Sequence, residues 1–298
     1  MTMGDPAAER FLSYSAPDDS VIWKIMFLDS GCLVGELHRP TEGRTSYFAL
    51  DTRNGSLVMN DFTPETALVG EASAPLLRTG LFTTARSLFY LHSYVDEGPE
   101  HMGIWAVDPL KGSVVWQRLD LSLVCNLGHA LLAYRAGSFA GFPERCYFLL
   151  DPMSGRVIQT PGEDTSLVNA LRAEALIEEE RQGIRLPLFY HQSDECSMSV
   201  EGLAVLRRMA GSGLCEYISL DNVLAAAVHR PDSAAGSPAF TTDLELWCSG
   251  QQLYSDRVCE ENPAPCMNCF LLKDVSLYYI KKRTELAGVR FNAACRGV

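Results

Sequence analysis

Three times in this sequence an aspartate is followed, four residues further on, by a glycine, with an apolar or aromatic run on either side: Asp51 to Gly55, Asp108 to Gly112 and Asp151 to Gly155. That spacing dictates a local structure. Residues 47–50, 104–107 and 147–150 are aromatic, β-branched or aliphatic and suit a pleated, half-buried surface. The aspartate carboxylate can accept backbone N–H groups of the turn, and the glycine can take the left-handed conformation that sends the chain back. Each copy is predicted to be a β-hairpin, and a β-branched residue at Gly112 is predicted to strain it.

The aspartates are 57 and then 43 residues apart, near the length of a four-stranded propeller blade. Residues 21–28, 31–38, 46–50 and 56–62 read as four strands of one such unit. Residues 80–116 and 121–159 read as two more. The expected fold is all-β, a single β-propeller domain over residues 1–298 with about six four-stranded blades and a small helical insertion near 165–210. Within that insertion, residues 165–181 fit both periods, with Thr165 as a possible cap, Gly183 as terminator and strand expected for the second half. Residues 197–210 form the best helix, ended by Gly211. Residues 183–191, 214–220 with 223–229, 240–248 with 251–258, and 270–272 with 276–282 are further strands, and 287–291 is expected to close onto the N-terminal strands. Residues 96–101, 136–143 and 231–238 read as surface loops.

The full pattern of aromatic, apolar, Asp, three residues, Gly and apolar strand, completed by Trp116 in the second copy, resembles the outer hairpin of quinoprotein-like, PQQ-repeat-type β-propellers. The resemblance covers about a third of the chain. It implies the fold and carries no catalytic residue across. The chain is also similar to uncharacterised bacterial proteins grouped as domains of unknown function, which implies nothing further about activity.

With 298 residues and 47% hydrophobic content, there is material for a sizeable core. The net charge of −12, from 25 basic against 37 acidic residues, opposes binding to a phosphate backbone, so nucleic acid is not an expected partner. Residues 1–20 contain no apolar signal core and no later run is long enough to span a bilayer, so a cytoplasmic chain with no membrane insertion is expected. The ten cysteines are then expected as reduced thiols.

Cys259, Cys266 and Cys269 have the one metal-like spacing. A Cys-x2-Cys knuckle directs two thiolates at one tetrahedral ion, so these three are the candidate zinc ligands, with Cys295 or Cys248 as a fourth. The other reading is unpaired thiols or a redox-labile pair. No His follows Cys269, which removes haem attachment. His191, Asp194 and Cys196 form a second, local constellation in which a Cys–His pair would be the nucleophile. The acidic run 178–180 reads as a solvated turn, and His38, His92, His101, His129 and His229 read as structural. These observations point to a non-catalytic interaction or scaffold module that docks a protein partner on its loops. The alternative is an enzyme, whether hydrolase, lyase or quinoprotein-like oxidoreductase, with its site in a central channel.

Overall fold

The structure, a computed structural model, describes residues 8–64, 79–94, 101–191, 199–232 and 239–292. The fold is an all-β propeller of five antiparallel sheets among the described residues. In chain order the strands begin with β1 (Ala8–Ser15), then β2 (Val21–Phe27), β3 (Cys32–Arg39), β4 (Arg44–Asp51) and β5 (Leu57–Phe62). The next sheet holds β6 (Thr79–Ala85), β7 (Leu88–Tyr94), β8 (His101–Asp108) and β9 (Ser113–Arg118), and the third holds β10 (Ser122–Asn126), β11 (Leu131–Phe139), β12 (Phe142–Leu150) and β13 (Val157–Gly162). Helices α1 (Thr165–Glu174) and α2 (Glu178–Gln182) precede the short strands β14 (Ile184–Arg185) and β15 (Leu188–Phe189). After α3 (Val200–Ala210) come β16 (Leu214–Leu220), β17 (Val223–Asp232), β18 (Ala239–Cys248), β19 (Gln251–Asn262), β20 (Phe270–Lys273), β21 (Ser276–Lys281) and β22 (Glu285–Phe291). The chain divides into two compact units, residues 17–182 and residues 1–16 with 183–298.

In the 17–182 unit each of the three sheets is a simple meander, and the repeated turn behaves alike in all three. Gly55, Gly112 and Gly155 have φ of +72°, +58° and +67°, and each donates its N–H to the carbonyl of the aspartate four residues before at 2.8, 2.9 and 2.9 Å. The carboxylates accept as the spacing predicts: Asp51 from the Arg53 N–H, Asp108 from the Leu110 N–H and Asp151 from the Ser154 N–H, at 2.8, 2.9 and 2.8 Å. Where Trp116 completes the pattern, its indole N–H donates to the Pro152 carbonyl at 2.8 Å, and the Tyr90 hydroxyl donates to the same oxygen at 2.8 Å. The ring lies so close over Gly155 that a Cβ there would meet it at 2.6 Å, whereas a Cβ on Gly112 would meet nothing within 4 Å. One blade thus docks on the next turn through a tryptophan. Met59 and Gln159 hold the matching place in the other two copies.

In the other unit, β16–β19 form one sheet with β15 at its edge, and β20–β22 form another with β1 and β14 at its edges. Ala225, Ala227, Leu244 and Val258 on one face of the first sheet pack against Phe270, Leu277, Tyr279 and Val289 of the second. On the opposite face, Tyr217, Leu224, Ala226 and Trp247 pack against Val205, Leu206 and Met209 of α3. Burial of each large side chain contributes about 1.5–3 kcal/mol, so this unit has a core of its own.

Several expectations are corrected. Among the described residues there are five sheets where the spacing suggested about six, because the hairpins β16–β17 and β18–β19 join into one. The strand expected over 183–191 is broken at Pro187, and its halves pair in different sheets, β14 with β20 and β15 with β16. The second half of 165–181 is helical, and the cap of α1 is Asp164, whose carboxylate accepts from the Leu167 N–H at 3.0 Å. Gly183 is left-handed at φ +64° as expected, while Gly211 after α3 stays right-handed at φ −66°. Residues 136–143 belong to a long hairpin whose tip, Ala140-Gly141 at φ +50° and +84°, is a two-residue turn. The 287–291 strand does meet an N-terminal strand, β1, which lies within residues 1–20, where the sequence reading placed no strand.

Candidate functional site: a buried thiol cluster

Strand pairing builds a polar row across the end of the β16–β19 sheet. His229 on β17 lies directly opposite Thr242 on β18, Thr242 lies opposite Cys259 on β19, and Glu216 on β16 sits diagonally from His229, beside its partner Leu214. Side chains of an antiparallel sheet meet at this spacing. Glu216, His229 and Thr242 are fully buried. His229 Nε2 lies 3.1 Å from a Glu216 carboxylate oxygen and Nδ1 lies 2.9 Å from the Thr242 hydroxyl. With Nε2–H donating to the carboxylate, Nδ1 accepts from Thr242. The Asn268 N–H donates to the same carboxylate at 3.0 Å. Breaking such a buried pair is costly, since the remaining polar group has no water to turn to.

The three cysteines singled out by their spacing meet at the end of this row. Cys266 lies within hydrogen-bonding reach of both Cys269 and Cys259, and Cys259 within reach of Thr242. The Cys269 thiol donating to Cys266 holds the Cys266 thiol well below its usual range, at about 6, with the Cys259 thiol and Arg283 acting in the same direction. The same hydrogen bond, with burial, drives Cys269 the opposite way, well above the ordinary thiol value. Burial raises Cys259. Cys266, the member of the cluster whose hydrogen bonds favour the thiolate, is also the one that is partly exposed, while Cys259 and Cys269 are buried.

The proposed fourth zinc ligands do not join it. Cys248 lies six residues along β18 from Thr242, about 20 Å at the usual strand rise, and Cys295 lies outside the described residues. Both ring nitrogens of His229 are engaged. Among the described residues no group of three or more His, Cys, Asp or Glu side chains is disposed to hold a metal ion.

His191, from the second constellation, is exposed on the rim of a concavity of about 880 Å³ lined by Tyr190, Arg207, Ala210, Gly211 and Leu214. Asp194 and Cys196 lie outside the described residues. Cys215 also faces this concavity, but burial pushes its thiol up to about 12, which makes it a poor nucleophile.

The acidic run 178–180 is more than a solvated turn. Glu178 accepts from the Thr83 hydroxyl, from Arg181 at 2.6 Å and from the Gln182 amide at 2.8 Å. The Phe27 N–H donates to Gln182 at 2.9 Å, Arg181 donates to Thr84 at 3.0 Å, and Asn126 donates to Thr83 at 2.9 Å. These bonds tie α2 to the ends of β2 and β6 and, through Thr83, to β10, the first strands of three successive sheets. His92, expected to be structural, is 6% exposed with neither ring nitrogen hydrogen-bonded, boxed by Phe82, Tyr94 and His101. Its pKa is lowered to about 3, chiefly by burial and then by His101.

Sequence reasoning found the thiols through their spacing, read His229 only as structural and missed its partner Glu216. The available signal was a polar residue inside each of two apolar strand runs, Leu214–Leu220 and Val223–Asp232.

No protein-family model and no curated protein matches this sequence. Among solved structures, the chain is similar to the Pyrococcus horikoshii acylaminoacyl peptidase at a TM-score of 0.31 and 9% identity, covering 88% of this chain and 36% of that one. It is similar to a structure from a study of two prolyl endopeptidases at 0.33 and 9%, covering 92% and 41%. It is also similar to the β-propeller domain of the Trilobed protease from Pyrococcus furiosus at 0.27 and 10%, covering 94% and 70%. The chain spans well under half the length of the two peptidases first named. Among the described residues, no helix is long and apolar enough to cross a membrane.

Proposed function

We propose that this chain is a non-catalytic protein-interaction module whose partner docks along β15 and the adjoining end of β16, beside α3. One observation carries this reading: Leu186, Leu188, Phe189 and Leu214 are 48%, 64%, 38% and 48% exposed around that edge. Apolar side chains grouped in this way are a common mark of a contact surface. β15 is also the edge strand of its sheet among the described residues and is only two residues long. An extended partner segment can add to such an edge by main-chain hydrogen bonds and place alternate apolar side chains beside Leu188 and Leu214. The net charge of −12 supports a basic or mixed-charge partner face. The eight described cysteines are free thiols, which supports a reducing, cytoplasmic setting. Kinship with quinoprotein-like propellers belongs to the same reading and is supported by the docking of Trp116 on Gly155.

The test is site-specific photo-crosslinking from position 214 in the native cell. The expected result is one discrete crosslinked polypeptide, lost in a Leu188→Asp variant whose thermal midpoint is unchanged. A crosslinking pattern that Leu188→Asp leaves intact would remove the edge from the proposal.

A further inference from the structure

We propose that Cys266 and Cys269 form a reversible disulfide in response to hydroperoxides, with Cys266 oxidised first and Cys269 resolving it. This site is independent of the partner edge and adds a chemical responsiveness that a binding module does not need.

The geometry assigns the two roles. Cys266 stands in the loop between β19 and β20 and is partly exposed, so a small oxidant in solvent reaches it before its neighbours. Cys269 is buried at the start of β20, its carbonyl accepting the Ile280 N–H at 2.9 Å, so it is anchored to the sheet. The two residues between them make a tight turn. The Met267 N–H donates to the Pro265 carbonyl at 3.0 Å, and Asn268 is left-handed at φ +52° with its N–H on Glu216 at 3.0 Å. This turn keeps the two sulfurs within hydrogen-bonding reach. Reactive cysteines generally combine exposure, thiolate character and an adjacent resolving thiol. Cys32, Cys215 and Cys259 are buried, and burial holds each of them as the protonated thiol.

The chemistry balances with hydrogen peroxide as the oxidant. The Cys266 thiolate attacks one peroxide oxygen, the O–O bond breaks, and the departing hydroxide takes a proton to leave as water, giving the Cys266 sulfenic acid. The Cys269 sulfur then attacks the Cys266 sulfur. The S–S bond forms, the S–O bond breaks, and the leaving oxygen takes the Cys269 proton to depart as a second water. Two thiols have lost two electrons and two protons, and one peroxide has become two waters. A dithiol reductant reverses the step by exchange.

Because Asn268 lies inside the new ring and donates to Glu216, closing the disulfide also acts on the buried Glu216–His229 pair. That gives a readout separate from the sulfur chemistry itself.

The experiment uses the full chain, freed of reductant and treated with one equivalent of hydrogen peroxide. Peptide mapping is expected to show a Cys266–Cys269 crosslink that dithiothreitol removes. In Cys269→Ser, dimedone is expected to trap a sulfenic acid at Cys266 roughly tenfold faster than at Cys32 or Cys215. The His229 ring resonances of the wild type are expected to shift on oxidation, and those of Cys266→Ser to stay in place. A Cys259–Cys266 crosslink would overturn the assignment of Cys269. Dimedone labelling of Cys266 no faster than of the buried thiols, or one equivalent of zinc bound with all three thiols protected, would overturn the proposal itself.

Discussion

The 17–182 unit builds three sheets from one turn used three times, whereas the sheets of the other unit are assembled from pieces that do not repeat. In the first, Asp and Gly hold the same hydrogen bonds at Gly55, Gly112 and Gly155, and each sheet is a run of four consecutive strands. In the second, the hairpins turn on left-handed Asp221, Ser249 and Asp274 at φ +53°, +48° and +54°. One sheet there takes an edge strand from the start of the chain, and a segment broken at Pro187 supplies an edge strand to each sheet. The chemistry follows the irregularity. The thiol cluster and the exposed apolar edge both lie in the unit whose sheets are unlike each other, because a repeated blade spends its residues on docking to its neighbour.

The largest effect is expected at the buried pair. Glu216→Ala leaves His229 and the Asn268 N–H without their partner and should cost about 3–5 kcal/mol, measured by denaturant unfolding. Glu216→Leu with His229→Leu should recover part of that loss, and equal costs for single and double variants would show that the pair is not the source.

Next comes acid sensitivity in the 17–182 unit. The pKa of His92 in the folded state lies near 3, below the ordinary value of about 6.5. The unfolded chain therefore binds the proton first as pH falls. The contribution is complete above pH 6.5 and is lost as pH falls from 6.5 towards 3, on the order of 3 kcal/mol by pH 4. His101, which stacks on the His92 ring at 4.3 Å, and Lys24 reinforce the effect. His92→Leu should flatten the fall of the urea midpoint between pH 7 and 4, and an undiminished fall would place the acid sensitivity elsewhere.

The repeated turn provides a sharper test of the same unit. Gly112→Val meets only the strain of its positive φ and should cost about 1 kcal/mol. Gly155→Val adds a clash with Trp116 and should cost about 3 kcal/mol. Equal shifts in thermal midpoint would mean that Trp116 moves aside freely. The smallest effect on stability is expected from alkylation of Cys266. Its labelling rate should rise through pH of about 6, while a thiol in a short peptide rises near 8.5.

What was legible in the sequence was whatever is decided locally. The hairpins at Asp51, Asp108 and Asp151 could be read because a carboxylate, a glycine and two strands lie within a dozen residues. The thiol cluster could be read because Cys266 and Cys269 are three apart and two prolines stiffen the loop between Cys259 and Cys269. The rest depends on distant partners. β1 carries charged residues at its start and pairs with β22, so nothing near it announces a strand. α2 is polar throughout, and it is held by Phe27, Thr83 and Thr84, which its own periodicity does not reveal. Glu216 and His229 become a pair only when β16 and β17 come into register.

The pairing of β1 with β22 also sets a timetable. Ala8 lies opposite Phe291 and Ser15 opposite Glu285, so during synthesis β1 emerges from the ribosome long before its partner exists, with residues 16–284 still to be made between them. The 17–182 unit has no such debt, since each of its sheets pairs only consecutive strands and can form as it emerges. Until β22 arrives, β1 is an unpaired strand in search of an edge. A ribosome stalled after residue 182 should therefore carry a protease-resistant repeat region with residues 8–15 protease-sensitive, and these should become protected only once β22 has emerged.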